Sequence, residues 1–280
     1  MNDWPVGLST GCFHHKKISD CLEQIGSGGF HLVEVCSLPS HLNYHDEGMV
    51  FSVADQMRAL GIEAYSFHAP FADHIDITSL DESHRQRSVA EVLIAAHAAA
   101  ILRVRHFVIH PGPEHAGQPH GEERERRLHN VAYSLSEIAV RCHELGVLCV
   151  LENKLPHLMF GNIPDMMWIL GAMTTTQVGV CLDTGHAYLA GILNNVIPKV
   201  GHYLRVIHAS DNHGRYDDHL PPGKGSIGWP DILQQLRQVR FDGTIILEIA
   251  GRGEDAEIMK TAREAAGFLR EQERLLHVAA

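Results

Sequence analysis

The chain reads as a (β/α)₈ barrel, and three observations lead there. Eight short runs rich in Val, Ile, Leu or Phe alternate with longer segments of helical periodicity. The runs are apolar almost throughout, as parallel strands covered on both faces must be. No linker of Pro, Gly and Ser and no low-complexity tract divides the 280 residues, a length that one α/β barrel often uses. A single domain over 1–280 is the expectation. An open doubly wound sheet is the alternative, with fewer strands and often a glycine-rich first turn.

The strand candidates, in order, are 6–10, 30–36, 62–68, 105–110, 147–152, 178–183, 203–208 and 244–249. Between the third and fourth, residues 84–103 place Val89, Val92, Leu93, Ala96, Ala99 and Ala100 at helical spacing. Residues 122–145 do the same with Leu128, Val131, Leu135, Ile138 and Ala139, and Gly146 is the C-terminal stop. Asn162-Ile-Pro-Asp opens the next helix, with Pro164 where its missing donor costs nothing. Trp229-Pro-Asp-Ile and Gly253-Glu-Asp-Ala open the last two. Gly26-Ser-Gly-Gly29 follows a helix and precedes a strand, the wrong order for a phosphate-binding turn, so it reads as a helix stop. The run Glu122–Arg127 is expected to be the solvated face of an outer helix.

Composition narrows the function. A formal charge of −11 argues against bulk electrostatic binding to nucleic acid or an anionic membrane. The start MNDWPVGLSTG lacks a basic stretch followed by an apolar one, and no apolar run approaches a bilayer span, so a cytoplasmic protein is expected. Six scattered cysteines without a C-x-x-C pair read as buried reduced thiols. The 22 histidines are unusual, but runs such as His14-His15 and His41 to His45 fall in polar loops expected at the surface.

Position makes other histidines informative. In a barrel of this kind, polar residues at the carboxyl ends of the strands carry function. Strands three to eight end in His68, His110, Glu152, Asp183, His208 and Glu248. These are the groups a divalent transition metal prefers, and three carboxylates converging on one mouth would repel without cations between them. In Cys-Leu-Asp183-Thr-Gly-His186, the imidazole lies one helical turn past the carboxylate and can reach the same mouth. After strand seven, Asp217 and His219 stand two apart, on one side of an extended segment, which favours Asp217 over Asp218 and Asp211. Nine candidate ligands exceed the four of one zinc and suit three ions sharing bridging carboxylates.

The motifs F-H-A-P-F, V-I-H-P-G, L-E-N, C-L-D-T-G-H, D-x-H, P-P-G-K-G-S-I-G-W and I-L-E-I resemble the xylose isomerase-like TIM barrels. Within them the match is to the group of endonuclease IV and the sugar phosphate isomerases and epimerases. The endonuclease resemblance implies three zinc ions, with Mn²⁺ or Fe²⁺ as alternatives. His68, His110 and Glu152 would hold the first. Glu152, Asp183, His208 and Glu248 would hold the second, and His186, Asp217 and His219 the third. The isomerase resemblance implies one metal on Glu152, Asp183, His208 and Glu248, with the two glutamates also moving protons. Glu152, Glu248 and His186 are thus the candidate catalytic residues.

Two departures argue against DNA. The first strand ends Gly7-Leu-Ser-Thr-Gly11 where the endonucleases carry a histidine, and the loop 37–47 has no Arg or Lys. A small-molecule substrate is expected, with Arg215 and Lys224 as candidate contacts to a phosphate. Because hydrolysis uses all nine residues, the sequence ranks a phosphoester hydrolase first. A sugar isomerase or epimerase comes next, then an abasic-site nuclease, then a sugar- or metal-binding module.

Overall fold

A computed structural model describes residues 4–114 and 117–278; the outer residues of the expected span 1–280, and 115–116, lie outside the described residues. The strands are β1 (Val6–Ser9), β2 (Leu32–Cys36), β3 (Glu63–His68), β4 (His106–Ile109), β5 (Leu148–Glu152), β6 (Val178–Asp183), β7 (Leu204–Ala209) and β8 (Thr244–Leu247). All pair in parallel and in chain order, and β8 returns to β1 through Val6 opposite Ile245 and Leu8 opposite Leu247. The barrel is closed and single, which removes the open doubly wound alternative.

The helices are α1 (Leu22–Ser27), α2 (Glu47–Ala59), α3 (Glu82–Ile101), α4 (Gly121–Glu144), α5 (Ile163–Ala172), α6 (Thr184–Leu189), α7 (Leu193–Val200), α8 (Trp229–Gln238) and α9 (Asp255–Val278). Local chemistry sets their ends. Asp46, Asp81 and Asn162 each accept a hydrogen bond from a first-turn backbone N–H of α2, α3 and α5. Gly146, just past α4, has φ +78, a conformation open to glycine at no steric cost. The run at the start of α4 is not simply a solvated face. Arg124 pairs with Asp165 of α5, and Arg127 reaches Asp76 at 3.0 Å, so two of its arginines tie α4 to its neighbours. His41 is buried rather than at the surface, with Nδ1 against the Lys16 carbonyl at 2.6 Å.

Two register shifts control what faces inward. Val33 pairs with Ala64 but Glu34 with Ser66, so Tyr65 is an extra residue on β3. Val180 pairs with Leu204 but Cys181 with Val206, so Arg205 is extra on β7. Tyr65 joins Val108, Val150, Cys181, Val206 and Ile246 in a small cluster distinct from the main core. Gly179 leaves the room that the Arg205 side chain takes: a Cβ there would sit 2.7 Å from its Cγ. Above the first bulge, Ser66 and His68 point to the axis beside Glu34 and Glu152. The main core lies between strands and helices, where Phe67 and Phe107 stack at 5.9 Å. All six cysteines are buried and free. Among the described residues, no helix is long and apolar enough to cross a membrane.

Candidate metal centre

The tips of β3 to β8 do converge. Glu152, 1% exposed, has Oε2 at 3.2 Å from His68 Nε2 and 3.3 Å from His110 Nε2. Its Oε1 lies 3.1 Å from His208 Nδ1, and the same nitrogen lies 3.1 Å from Glu248 Oε2. Asp183 enters from β6, its backbone clamped to Asn153 through N–H to Oδ1 (2.9 Å) and C=O to Nδ2 (3.1 Å). On the far side, Asp217 Oδ2 sits 3.4 Å from His186 Nε2 and 3.0 Å from His219 Nε2.

Ligand-type atoms fall within 4.8 Å of one another in groups matching the three expected from the resemblance. They are His68–His110–Glu152, Glu152–Asp183–His208–Glu248, and His186–Asp217–His219. A further grouping, Glu152–Cys181–His208, uses a thiol that burial pushes far above its usual range, so Cys181 serves better as barrel filling than as a thiolate ligand.

Electrostatics show why the cluster suits cations. Burial alone would strip charge from every member. The carboxylates of Glu152, Glu34 and Glu248 overcome it at His68, which is held up at about 9, and at His208, held well above its ordinary value. Burial works against Glu152 as well, but His208 and His110 hold its carboxyl well below the usual range. Glu248 is brought down to about 2 by His208 and His219 in the same way. Burial lifts Asp183 to about 6 against the pull of His186, and Glu248 and Glu152 push it the same way. Asp217, against its own burial, is lowered by His186 and His219, and His219 is raised to about 10. Protons on imidazoles thus balance the carboxylates, and a divalent cation would replace them. The donor set fits one: Asp217 Oδ1 is buried without a hydrogen-bond partner, and Glu152 Oε2 and Glu248 Oε2 meet only imidazole nitrogens, whose place a cation would take.

Asp183 also closes the turn that follows it: its Oδ1 accepts the His186 N–H at 2.6 Å and caps α6. Asp217 and His219 meet for a different reason than expected. The segment is not extended: His219 has φ +45, rare for a residue with a side chain, and its ring is steadied by the Glu248 carbonyl at 3.1 Å. Asp211 is instead a buried hub, accepting from the N–H groups of Asn212, Gly223 and Ile227 and from Trp229 Nε1.

Arg215 and Lys224 lie exposed in the loop between β7 and α8, and neither side chain bonds to the nine residues. A cavity of about 480 Å³ opens over the centre, lined by His68, Asp217, His219 and Glu248 and walled by Cys12, Cys36, Leu38, Phe71 and Ile249. Its one Arg or Lys is Arg252, on the loop after β8. The residue that the sequence reading passes over is Glu34, fully buried, 2.9 Å from His208 Nε2. Its signal is an acid in the middle of an apolar strand.

Fold and site together define a parallel (β/α)₈ barrel whose mouth gathers histidine and carboxylate groups that could hold divalent cations. The chain belongs to the xylose isomerase-like TIM barrel family, whose model matches residues 22–272. Among its relatives, an uncharacterised protein of Methanocaldococcus jannaschii is 27% identical over 88% of this chain and 84% of its own. The probable endonuclease 4 of Aquifex aeolicus is 27% identical over 62% of this chain and 66% of its own. A D-tagatose 3-epimerase-like protein superposes with a TM-score of 0.85 at 23% identity, over 98% of this chain and 99% of its own. The D-psicose 3-epimerase of Clostridium cellulolyticum H10 gives 0.79 at 16%, over 95% and 98%. At these identities, the two solved structures speak to fold.

Proposed function

We propose that the chain is a metal-dependent epimerase or isomerase of a small polyhydroxylated substrate, a sugar or sugar phosphate. The carrying observation is the meeting of Glu152 and Glu248 at one nitrogen of His208, both at 3.1 Å, beneath a cavity of about 480 Å³. That volume suits one sugar rather than a nucleic-acid duplex. Glu152, Asp183, His208 and Glu248 would hold the ion, which when bound polarises a carbonyl oxygen. One glutamate then takes the proton from the carbon beside that carbonyl, and the other returns a proton to the carbon. Glu248 is the one that lines the cavity. The epimerase names of structures matched over nearly the whole chain support this reading.

Hydrolysis, which the sequence ranks first, is not favoured over isomerisation by either the structure or the comparisons. It stands as the second reading on a specific observation: three groups of ligand-type side chains are assembled, two of them sharing Glu152, and Asp217 Oδ1 is left without a partner in the third. In that reading, three ions, zinc foremost, share the nine residues. The cation that the cavity presents to an anionic substrate is Arg252; Arg215 and Lys224 would act from outside its lining. Cytoplasmic placement is part of the proposal, supported by six buried thiols without a disulfide.

The test is exchange of substrate C–H for deuterium in D₂O, followed by NMR over a panel of ketoses and their phosphates. Exchange that is lost in Glu248→Gln supports epimerisation. No exchange, together with metal-dependent cleavage of a chromogenic phosphate ester, would replace it with hydrolysis.

A further inference from the structure

Five imidazoles belong to the three candidate ligand groups, and each is braced from behind. For His68, His186 and His219 the brace is a backbone carbonyl: Ala69 at 2.9 Å, Asn153 at 3.0 Å and Glu248 at 3.1 Å, always at Nδ1. His110 Nδ1 instead meets the carboxylate of Glu114 at 2.7 Å, on a loop that buried Lys154 pins through Glu114 and the Gly112 carbonyl. In all four, Nε2 is the nitrogen left for the mouth. His208 is reversed. Its Nδ1 faces Glu152 and Glu248, and its Nε2 is held by Glu34 Oε2 at 2.9 Å.

Glu34 is itself seated. Ser66 Oγ donates to Oε2 at 2.8 Å and Ser9 Oγ to Oε1 at 3.4 Å, and the carboxylate has no exposure. The β2–β3 bulge is what brings Ser66 opposite Glu34. A buried carboxylate is costly unless it is paired and hydrogen-bonded, and here both conditions are met by groups whose arrangement turns one ring. A carboxylate behind a ligand imidazole fixes its tautomer and raises its donor strength.

We propose that Glu34 is a positioning residue for the divalent-cation site of Glu152, Asp183, His208 and Glu248. It keeps the His208 proton on Nε2 and presents Nδ1 to the ion. The proposal concerns metal retention and stands whichever reaction the mouth performs.

The experiment loads the full-length chain with Mn²⁺, competes with graded chelator, and counts ions retained per chain. Glu34→Gln keeps the shape and removes the charge. One bound ion should then be lost at roughly 10- to 100-fold lower chelator strength, with the thermal midpoint at saturating Mn²⁺ within a few degrees of wild type. Ser66→Ala, which only loosens the seat, should shift the same ion in the same direction by less. Glu114→Gln should spare it. Glu34→Gln with wild-type retention overturns the proposal. So does an equal weakening of every ion together with a collapsed midpoint, which would mean a purely structural acid. Should Glu34→Gln fail to fold, Ser66→Ala with unchanged retention overturns it alone.

Discussion

The two ends of the barrel each bury a histidine, and the two behave oppositely. At the carboxyl end, His208 faces Glu34, Glu152 and Glu248 and is held protonated well above its ordinary range. At the amino end, His106 packs its ring 5.0 Å from Tyr65, and burial, with Arg205 and Arg105 adding to it, brings its pKa down to about 4. Burial pushes both the same way, so the sign is decided by which charges the fold places nearby. Both ends are shaped by the same device, since each bulge sends a residue (Tyr65 or Arg205) toward the closed end. The amino end is filled around a ring whose Nδ1 has no partner, and the mouth leaves the Asp217 Oδ1 acceptor to a cation or a substrate.

The change that breaks this contrast most is Glu152→Ala, which removes the carboxylate shared by two ligand groups. Turnover should fall by about 10³-fold or more, and elemental analysis should show metal lost. Retained metal with full turnover would remove Glu152 from the mechanism. Chelation comes next. Ions binding only the folded chain at about 100 times their dissociation constant each add about 2.7 kcal/mol. Scanning calorimetry should therefore show the melting temperature fall by roughly 5–10 °C on chelator treatment. An unchanged melt would mean the mouth is satisfied by its own protons.

His106 sharpens the other side. Its folded value lies below the ordinary 6.5, so between the two values the unfolded chain binds a proton that the folded chain refuses. Stability is whole above pH 6.5 and falls toward pH 4, by about 3 kcal/mol at most. Denaturant titrations of His106→Leu should show that part of the slope gone. An unaltered slope would place the acid sensitivity elsewhere. The smallest effects are at the rim. Arg252→Ala should raise KM about tenfold for a phosphorylated substrate, a loss of about 1.4 kcal/mol, in line with one charge-assisted hydrogen bond. Arg215→Ala and Lys224→Ala should change it less than about twofold, as surface charges do. The reverse ranking would restore those two as the phosphate contacts.

Most of the fold was legible because parallel strands and amphipathic helices leave different periods in the sequence, and the strand windows shift only by a residue or two at their ends. The convergence of the six strand-tip candidates was legible because strand tips of a barrel share one destination. Glu34 was not, since a rule that looks at tips overlooks an acid two residues inside one, and nothing local reveals that a bulge will put Ser66 beside it. Asp217 was chosen over Asp211 on a geometry that does not hold. The left-handed turn at His219 and the N–H groups gathered by Asp211 depend on the whole loop folding back, which sequence spacing does not encode.

The candidate ligands run from His68 to Glu248 and come from the ends of six strands, from α6 and from the loop after β7. No short stretch of the chain can chelate an ion with the geometry of the finished mouth. His186 and Asp183 lie close in sequence, yet they belong to different groups. Binding at full strength in the group of Glu152, Asp183, His208 and Glu248 therefore waits until β8 has docked beside β7, a late event in a topology built from distant contacts. Metal uptake by that group during refolding would thus report the docking of β8, while the two groups without a β8 residue could fill before it.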